Sequence, residues 1–195
     1  MKYIVGVDEA GRGPLAGPVT VGLVKIPADF DWALVPGVRD SKKISEKKRE
    51  VIYKLVLELY VAKKLSYVVK SVSAASIDSK GIAPAIRRAI AAGMSDLECD
   101  PADTFIKLDG SLRAPAEFTQ ETIIKGDDKE QVIGLASIMA KVTRDRYMVQ
   151  QDAQYPKYGF AAHKGYGTKS HMAAIASHGF TPIHRRSYCK NIQLL

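Results

Sequence analysis

Two continuous apolar runs open the chain, Tyr3-Ile-Val-Gly-Val7 and Val19-Thr-Val-Gly-Leu-Val24. They predict central strands covered on both faces, because a strand with one wet face would alternate. The segment between them is rich in Gly and Pro and reads as a loop. Residues 45–63 then place Val51, Ile52, Leu55, Val56 and Leu59 on one helical face with Lys, Arg and Glu opposite, and residues 65–72 read as a third strand. A second helical pattern, Ile82, Ile86 and Ile90, is expected to stop at Gly93 in a left-handed C-terminal position. Residues 104–108 and 121–124 are short and rich in β-formers. From residue 129 to about 147, Val132, Leu135, Ala136, Met139 and Val142 return to helical period, and a last helix over 169–177 follows Thr168 as N-cap and ends at Gly179. The order β, β, α, β, α, β, β, α predicts an α/β domain with a mixed sheet.

Composition narrows this. At 195 residues and 46% apolar content the chain suits one domain over 1–195. Its formal charge of +8 points to polyanionic partners. Residues 153–195 contain no Asp or Glu, six Lys/Arg and all four His, so this basic tail carries +6 of the total. Cys99 and Cys189 are too few and too far apart for a disulfide framework or a zinc site, which implies a reducing compartment. The longest charge-free apolar stretch, between Arg12 and Lys25, is broken by Gly13, Pro14, Gly17 and Pro18, so a soluble cytoplasmic protein without membrane attachment is expected.

Acids stand at the predicted strand ends. Asp8 follows the first strand with Glu9 beside it, Asp109 follows the fourth and Asp127 the fifth. If the first and fourth strands are parallel neighbours, Asp8 and Asp109 emerge at the edge where open α/β sheets place their sites. Converging carboxylates repel, and a divalent cation resolves the repulsion. Oxygen ligands without a Cys/His cluster favour Mg²⁺ or Mn²⁺, and two such ions about 4 Å apart can activate a water and stabilise the leaving oxygen of a phosphodiester. Each acid also has a plain reading: Asp8-Glu9 as a solvated loop, Asp109-Gly110 as a tight turn, and Asp127 with Glu130 as a helix-capping pair.

Gly11-Arg12-Gly13-Pro14 follows the acidic pair, and glycines there would let backbone groups approach a ligand closely, although most such loops are only turns. In the tail, Tyr155-Pro-Lys-Tyr158-Gly-Phe160, His163-Lys-Gly-Tyr166 and His184-Arg-Arg-Ser-Tyr188 interleave aromatics with cations. Stacking plus phosphate neutralisation is what a nucleic-acid surface needs, so the tail is expected to bind substrate while packed on the domain. The histidines are read as structural.

These residues resemble a known family. Val7-Asp-Glu-Ala-Gly-Arg-Gly-Pro-Leu-Ala-Gly-Pro18, Asp40-Ser-Lys-Lys43, Leu108-Asp-Gly110, Lys125-Gly-Asp127, Ala136-Ser-Ile-Met-Ala-Lys-Val-Thr-Arg-Asp145, Tyr158-Gly-Phe160, His163-Lys-Gly-Tyr-Gly-Thr168 and His184-Arg-Arg-Ser187 fall in the order found in type 2 ribonuclease H, ribonuclease HII. The resemblance implies a ribonuclease H-like fold and Mg²⁺- or Mn²⁺-dependent endonucleolytic cleavage of RNA in RNA–DNA hybrids and at ribonucleotides embedded in duplex DNA. It implies 3′-hydroxyl and 5′-phosphate ends and two metals held by Asp8, Glu9, Asp109 and Asp127. It further implies that Gly11, Arg12 and Gly13 contact the 2′-hydroxyl, that Tyr166 packs on the neighbouring deoxyribose, and that Lys43 contacts a phosphate. The 2′-hydroxyl is what tells the two sugars apart.

One departure touches the fourth acid. Many relatives carry Ser and Pro after the Lys-Gly-Asp motif, where this chain has Asp128-Lys-Glu130, so Asp128 or Glu130 could share or perturb that ligand. An HIII-type hybrid nuclease is similar in its acids but has Lys within the glycine loop and an added N-terminal domain; Arg12 and the start at Met1-Lys-Tyr argue against it. A non-catalytic basic nucleic-acid-binding protein is the other reading, and it would not need the acids. The C-terminal Gln193-Leu-Leu195 reads as a frayed end or a weak sliding-clamp contact, and a monomer is expected.

Overall fold

A computed structural model describes residues 1–38 and 44–194. The elements run β1 (Tyr3–Ala10), β2 (Val19–Pro27), α1 (Glu46–Val61), β3 (Ser66–Val72), α2 (Ala74–Lys80), α3 (Ile82–Asp96), β4 (Thr104–Asp109), β5 (Thr119–Ile123), α4 (Gly126–Lys129), α5 (Gln131–Gln154), α6 (Phe160–His163) and α7 (Lys169–His178). The strands form one mixed sheet in the order β3-β2-β1-β4-β5. β1 pairs antiparallel with β2, which pairs antiparallel with β3, whereas β1–β4 and β4–β5 are parallel.

The pleat sorts the strand residues onto two cores, since successive side chains face opposite sides. Val5, Val7, Val19, Val21, Leu23, Ile106 and Leu108 pack against Ile86, Ile90 and Met94 of α3. On the other face α5 lays Val132, Leu135, Ala136 and Met139 across the sheet, with Ile52 and Val56 of α1 beside them. Fully burying each such side chain contributes about 1.5–3 kcal/mol. The long helix can lie this close because Gly6 and Gly22 carry no side chain: a Cβ at either would stand 2.2 Å from the carbonyl oxygen of Val132 or Ala136.

Several boundaries differ from the expected ones, each for a local reason. β1 extends through Asp8 and Glu9 to Ala10 because β2 pairs with it that far, so these acids lie in the strand. α3 passes through Gly93 to Asp96; Gly93 is a packing glycine whose Cβ would meet Leu23 Cδ1 at 2.5 Å, and Leu97 is the C-cap. Asp127 does not cap a helix with Glu130. It sits in the first turn of the short α4 behind a left-handed Lys125, and Glu130 instead pairs with Lys107 on β4 at 2.7 Å. α7 agrees with its pattern, with Thr168 Oγ1 accepting from the His171 N–H at 3.2 Å and a left-handed Gly179 ending it. Among the described residues no helix is long and apolar enough to cross a membrane.

A third core lies under the tail, where Ala16, Met148, Tyr158, Phe160, Ile175 and Cys189 meet. Tyr158, Phe160, His184 and Arg185 are buried, as is His171, so part of the aromatic and cationic pattern that reads as a binding surface is interior packing. Lys157, Tyr166, Lys169, Arg186 and Lys190 remain exposed.

Candidate active site

Val7 on β1 is the register partner of Leu108 on β4, so Asp8 and Asp109 follow one step later on adjacent parallel strands. By the pleat both face the α5 side, the side of Lys107, while Glu9 starts from the opposite face. Asp8 is 3% exposed and takes the Glu9 N–H on Oδ1 at 2.7 Å. Burial pushes its carboxyl up to about 8, the charges of Asp109 and Glu9 push the same way, and a hydrogen bond from Ser137 on α5 opposes them. Asp109 Oδ1 accepts the Gly126 N–H at 2.6 Å, which ties the end of β4 to α4 and brings up the buried Asp127 next to Gly126.

Glu9 is held differently, by Arg12 Nη1 at 3.0 Å. Asp128 Oδ1 is buried with no hydrogen-bond partner among the described residues, which keeps Asp128 beside the question of the fourth ligand, whereas Glu130 is committed to Lys107. Lys43 lies outside the described residues. The acids fit hard divalent cations in donor type and in charge: all are oxygen donors, and the buried Asp8 is starved of positive charge. Among the described residues no three His, Cys, Asp or Glu already surround one point, so the carboxylates would have to turn from their present partners to share an ion.

The loop after Glu9 is shaped by two arginines that the linear pattern did not single out. Arg185, 0% exposed, donates from Nε to the Gly17 carbonyl at 3.0 Å, from Nη1 to Arg12 at 2.9 Å and from Nη2 to Gly11 at 2.6 Å. Arg144 of α5, also buried, donates to the carbonyls of Pro18 at 2.9 Å and Ala16 at 3.1 Å. The carbonyls of residues 11, 12, 16, 17 and 18 therefore turn toward these two side chains, and a bent loop that would otherwise bury unpaired oxygens is satisfied. Gly11 has φ +87°, and a Cβ there would fall 2.0 Å from Arg144 Nε; at Gly13 the space within 4 Å is open. Gly11 is thus a folding requirement, while Gly13 leaves room for something outside the protein.

That room is a groove of about 330 Å³ lined by Glu9, Gly11 to Gly13, Arg49, Ser137, Lys141 and Tyr166. Tyr166 is 46% exposed on its far wall, with the Arg144 guanidinium 5.9 Å from the ring centre. The groove thus gathers Glu9, the glycine loop and Tyr166, and Glu9 is next in sequence to Asp8, which the strand register sets beside Asp109. Ser137, Lys141 and Arg144 recur at helical spacing along α5, a signal that could have marked that helix as a wall of the site. Nothing in the sequence separates the buried Arg185 from its exposed neighbour Arg186.

Behind Tyr166 lies a chain of buried histidines. His184 Nδ1 accepts the Thr181 N–H at 2.9 Å, His184 Nε2 and His171 Nε2 are 3.1 Å apart, and His171 Nδ1 is 2.9 Å from the Tyr166 carbonyl. One proton arrangement satisfies all of these: His184 Nε2–H donates to His171, whose Nδ1–H donates to Tyr166, with both rings neutral. Burial, reinforced by the neighbouring rings, lowers both pKa values to about 4.

A family model described as Ribonuclease HII matches residues 5–191. The ribonuclease HII of Ruminiclostridium cellulolyticum is 47% identical over 190 residues, which span 97% of this chain and 71% of that relative. Among solved structures, ribonuclease H2 from Pyrococcus horikoshii is similar with a TM-score of 0.73 and 26% identity, covering 98% of this chain and 97% of that one. A structure of the PCNA:RNase HII complex from Archaeoglobus fulgidus is similar with a TM-score of 0.74 and 25% identity, covering 94% of this chain and 93% of that one.

Proposed function

The chain belongs to the ribonuclease HII family, a ribonuclease H-type endoribonuclease acting on RNA–DNA hybrids, and from that premise we propose how its own residues do the work. Asp8, Glu9, Asp109 and Asp127 hold two divalent cations, Mg²⁺ or Mn²⁺. The observation that carries this is the emergence of Asp8 and Asp109 from adjacent parallel strands beside the glycine loop. Bound there, such ions supply an activated water and stabilise charge on the leaving oxygen, leaving 3′-hydroxyl and 5′-phosphate ends.

The remaining tasks fall to the protein. The backbone of Gly11, Arg12 and Gly13 meets the ribose 2′-hydroxyl. Tyr166 packs on the next deoxyribose, and Lys43, Lys141 and Arg49 neutralise phosphate. This division makes a single ribonucleotide in duplex DNA a substrate as well as a continuous hybrid. Residues 1–195 act as one unit in the cytoplasm, as a monomer, with 153–195 folded against the loop. A clamp contact through the C-terminus is a secondary reading that rests on the relative solved with PCNA.

The test is cleavage of duplex DNA bearing one ribonucleotide, with Mn²⁺, Mg²⁺ or EDTA. Metal-dependent incision on the 5′ side of the ribonucleotide supports the reading. Binding without incision under any metal would leave a non-catalytic nucleic-acid-binding protein.

A further inference from the structure

A second cleft borders the candidate active site on the α3 side. It is small, about 50 Å³, and Arg12, Arg87, Arg113 and Ser111 line it above Ile86 and Leu112. The three arginines come from three separate segments: the glycine loop, the second turn of α3, and the stretch just after Asp109. Arg12 also lines the groove that holds Tyr166, so the two openings share one wall.

Three guanidinium groups in one cleft repel unless something negative sits among them. Arg12 is paired with Glu9, and Arg113 Nη1 reaches only the neutral Thr122 Oγ1 at 3.4 Å. Among the described residues no carboxylate pairs with Arg87 or Arg113. The floor is firm, because Ile86 and Leu112 are buried in the core between α3 and the sheet. Convergent forked donors on a rigid base, with positive charge left over and a hydroxyl beside them, match a phosphate group.

We propose that Arg87, Arg113 and Arg12 seat one backbone phosphate of the bound duplex, on the opposite side of Arg12 from Tyr166. The inference rests on the nuclease reading for its ligand. With both openings occupied the duplex is gripped across the acids, and the phosphodiester to be cut lies between the two grips. The exposed cations of the tail then supply only part of the affinity, and α3 supplies the rest.

The experiment measures binding of a labelled RNA–DNA hybrid by fluorescence anisotropy in EDTA, so that nothing is cut, over a range of salt. R87A and R113A should each lower the salt slope by about one, and the double variant should weaken binding about 10- to 30-fold at moderate salt. R88A is the control, since Arg88 is an exposed neighbour on α3 that does not line the cleft. A walk of single uncharged methylphosphonate linkages along both strands locates the phosphate: one linkage should cost wild type affinity and cost R87A/R113A nothing further. Arg87→Lys and Arg113→Lys should restore part of the slope, and melting curves confirm that each variant is folded. Equal behaviour of R87A/R113A and R88A, or a methylphosphonate penalty that is the same in wild type and double variant at every position, overturns the seat. A wild type that binds with the expected slopes in EDTA but cuts nothing once Mg²⁺ or Mn²⁺ is restored overturns the nuclease reading alone, and one that does not bind the duplex overturns both.

Discussion

Arg185 Nη2 donates to the Gly11 carbonyl at 2.6 Å across a separation of 174 residues. The last basic motif of the chain thereby sets the shape of its first loop. Arg185 holds residues 11, 12 and 17 from one side and Arg144 holds 16 and 18 from the other, so the loop beside the acids is fixed by charge-assisted bonds to its carbonyls. A loop preorganised in this way can present N–H groups to a ligand without an ordering cost at binding.

Replacing Arg185 should therefore cost stability and activity together. Arg185→Met strips two buried carbonyls and one part-buried carbonyl of their donors, and a loss of about 2–4 kcal/mol is expected. Arg185→Lys keeps the charge but cannot make the forked contacts, so it should recover less than half of the loss. Thermal unfolding measures the first effect; hybrid cleavage well below the melting point measures the second. A lysine variant as stable as wild type would mean that charge alone is the requirement.

The two glycines that flank Arg12 should separate folding from function. Gly11→Ala forces a side chain onto a left-handed backbone and against Arg144, so expression or melting temperature should fall sharply. Gly13→Ala meets open space and should change stability by less than about 0.5 kcal/mol. Its methyl group intrudes where the ribose is proposed to sit, so cleavage at an embedded ribonucleotide should drop at least about tenfold. Full activity of the Gly13 variant would place the sugar elsewhere.

Asp8→Asn tests the acids in two ways. Asp8 is buried beside Asp109 and Glu9, so in the absence of metal a neutral amide should raise the melting temperature by the equivalent of about 1 kcal/mol or more. Cleavage should be lost while hybrid affinity is retained, since the variant removes a proposed metal ligand and leaves the cations that hold phosphate in place. Wild-type turnover by this variant would remove Asp8 from the reaction.

The middle of the sheet was legible in the chain because β1 and β2 are apolar on both faces, and short β-rich runs such as Val19 to Val24 bounded by Gly and Pro suit buried strands. The acids at strand ends followed from the same runs. Gly93 was misread because a glycine that admits Leu23 looks, in one dimension, like one that ends a helix. The tail was the hardest segment. Tyr158, Phe160 and Arg185 have the composition of a binding surface, and only the third core, assembled from the loop, α5 and α7, turns them inward. Burial of this kind depends on contacts distant in sequence, which local pattern cannot carry.

The histidine chain should make the protein sensitive to acid at a point remote from the carboxylates. His171 and His184 titrate near 6.5 when unfolded and near 4 when folded, so the folded state favours their neutral forms. Their contribution to stability is present above about 6.5 and is lost as pH falls toward about 4, each pKa unit being about 1.4 kcal/mol. Around the pair stand His163, stacked on His171 at 4.4 Å, and the rings of Tyr158, Phe160 and Phe180, with no carboxylate in the bonded chain to offset a new charge. Protonating His171 Nε2 sets two N–H groups face to face across 3.1 Å, and protonating His184 Nδ1 removes the acceptor of the Thr181 N–H, so either event breaks the chain behind Tyr166. Asp8 contributes with the opposite sign, since its raised pKa makes the metal-free protein lose stability as pH rises, so the histidine effect is read as a difference between variants. His184→Gln, a neutral side chain that cannot gain a proton, should flatten the stability profile between pH 4 and 6.5 relative to wild type. At neutral pH it should also weaken the preference for an embedded ribonucleotide over a continuous hybrid, in the direction expected of Tyr166→Ala, through KM more than kcat. An unchanged acid limb would show that the pair does not titrate with folding. An unchanged substrate preference alongside a flattened limb would show that the chain stabilises the tail without positioning Tyr166.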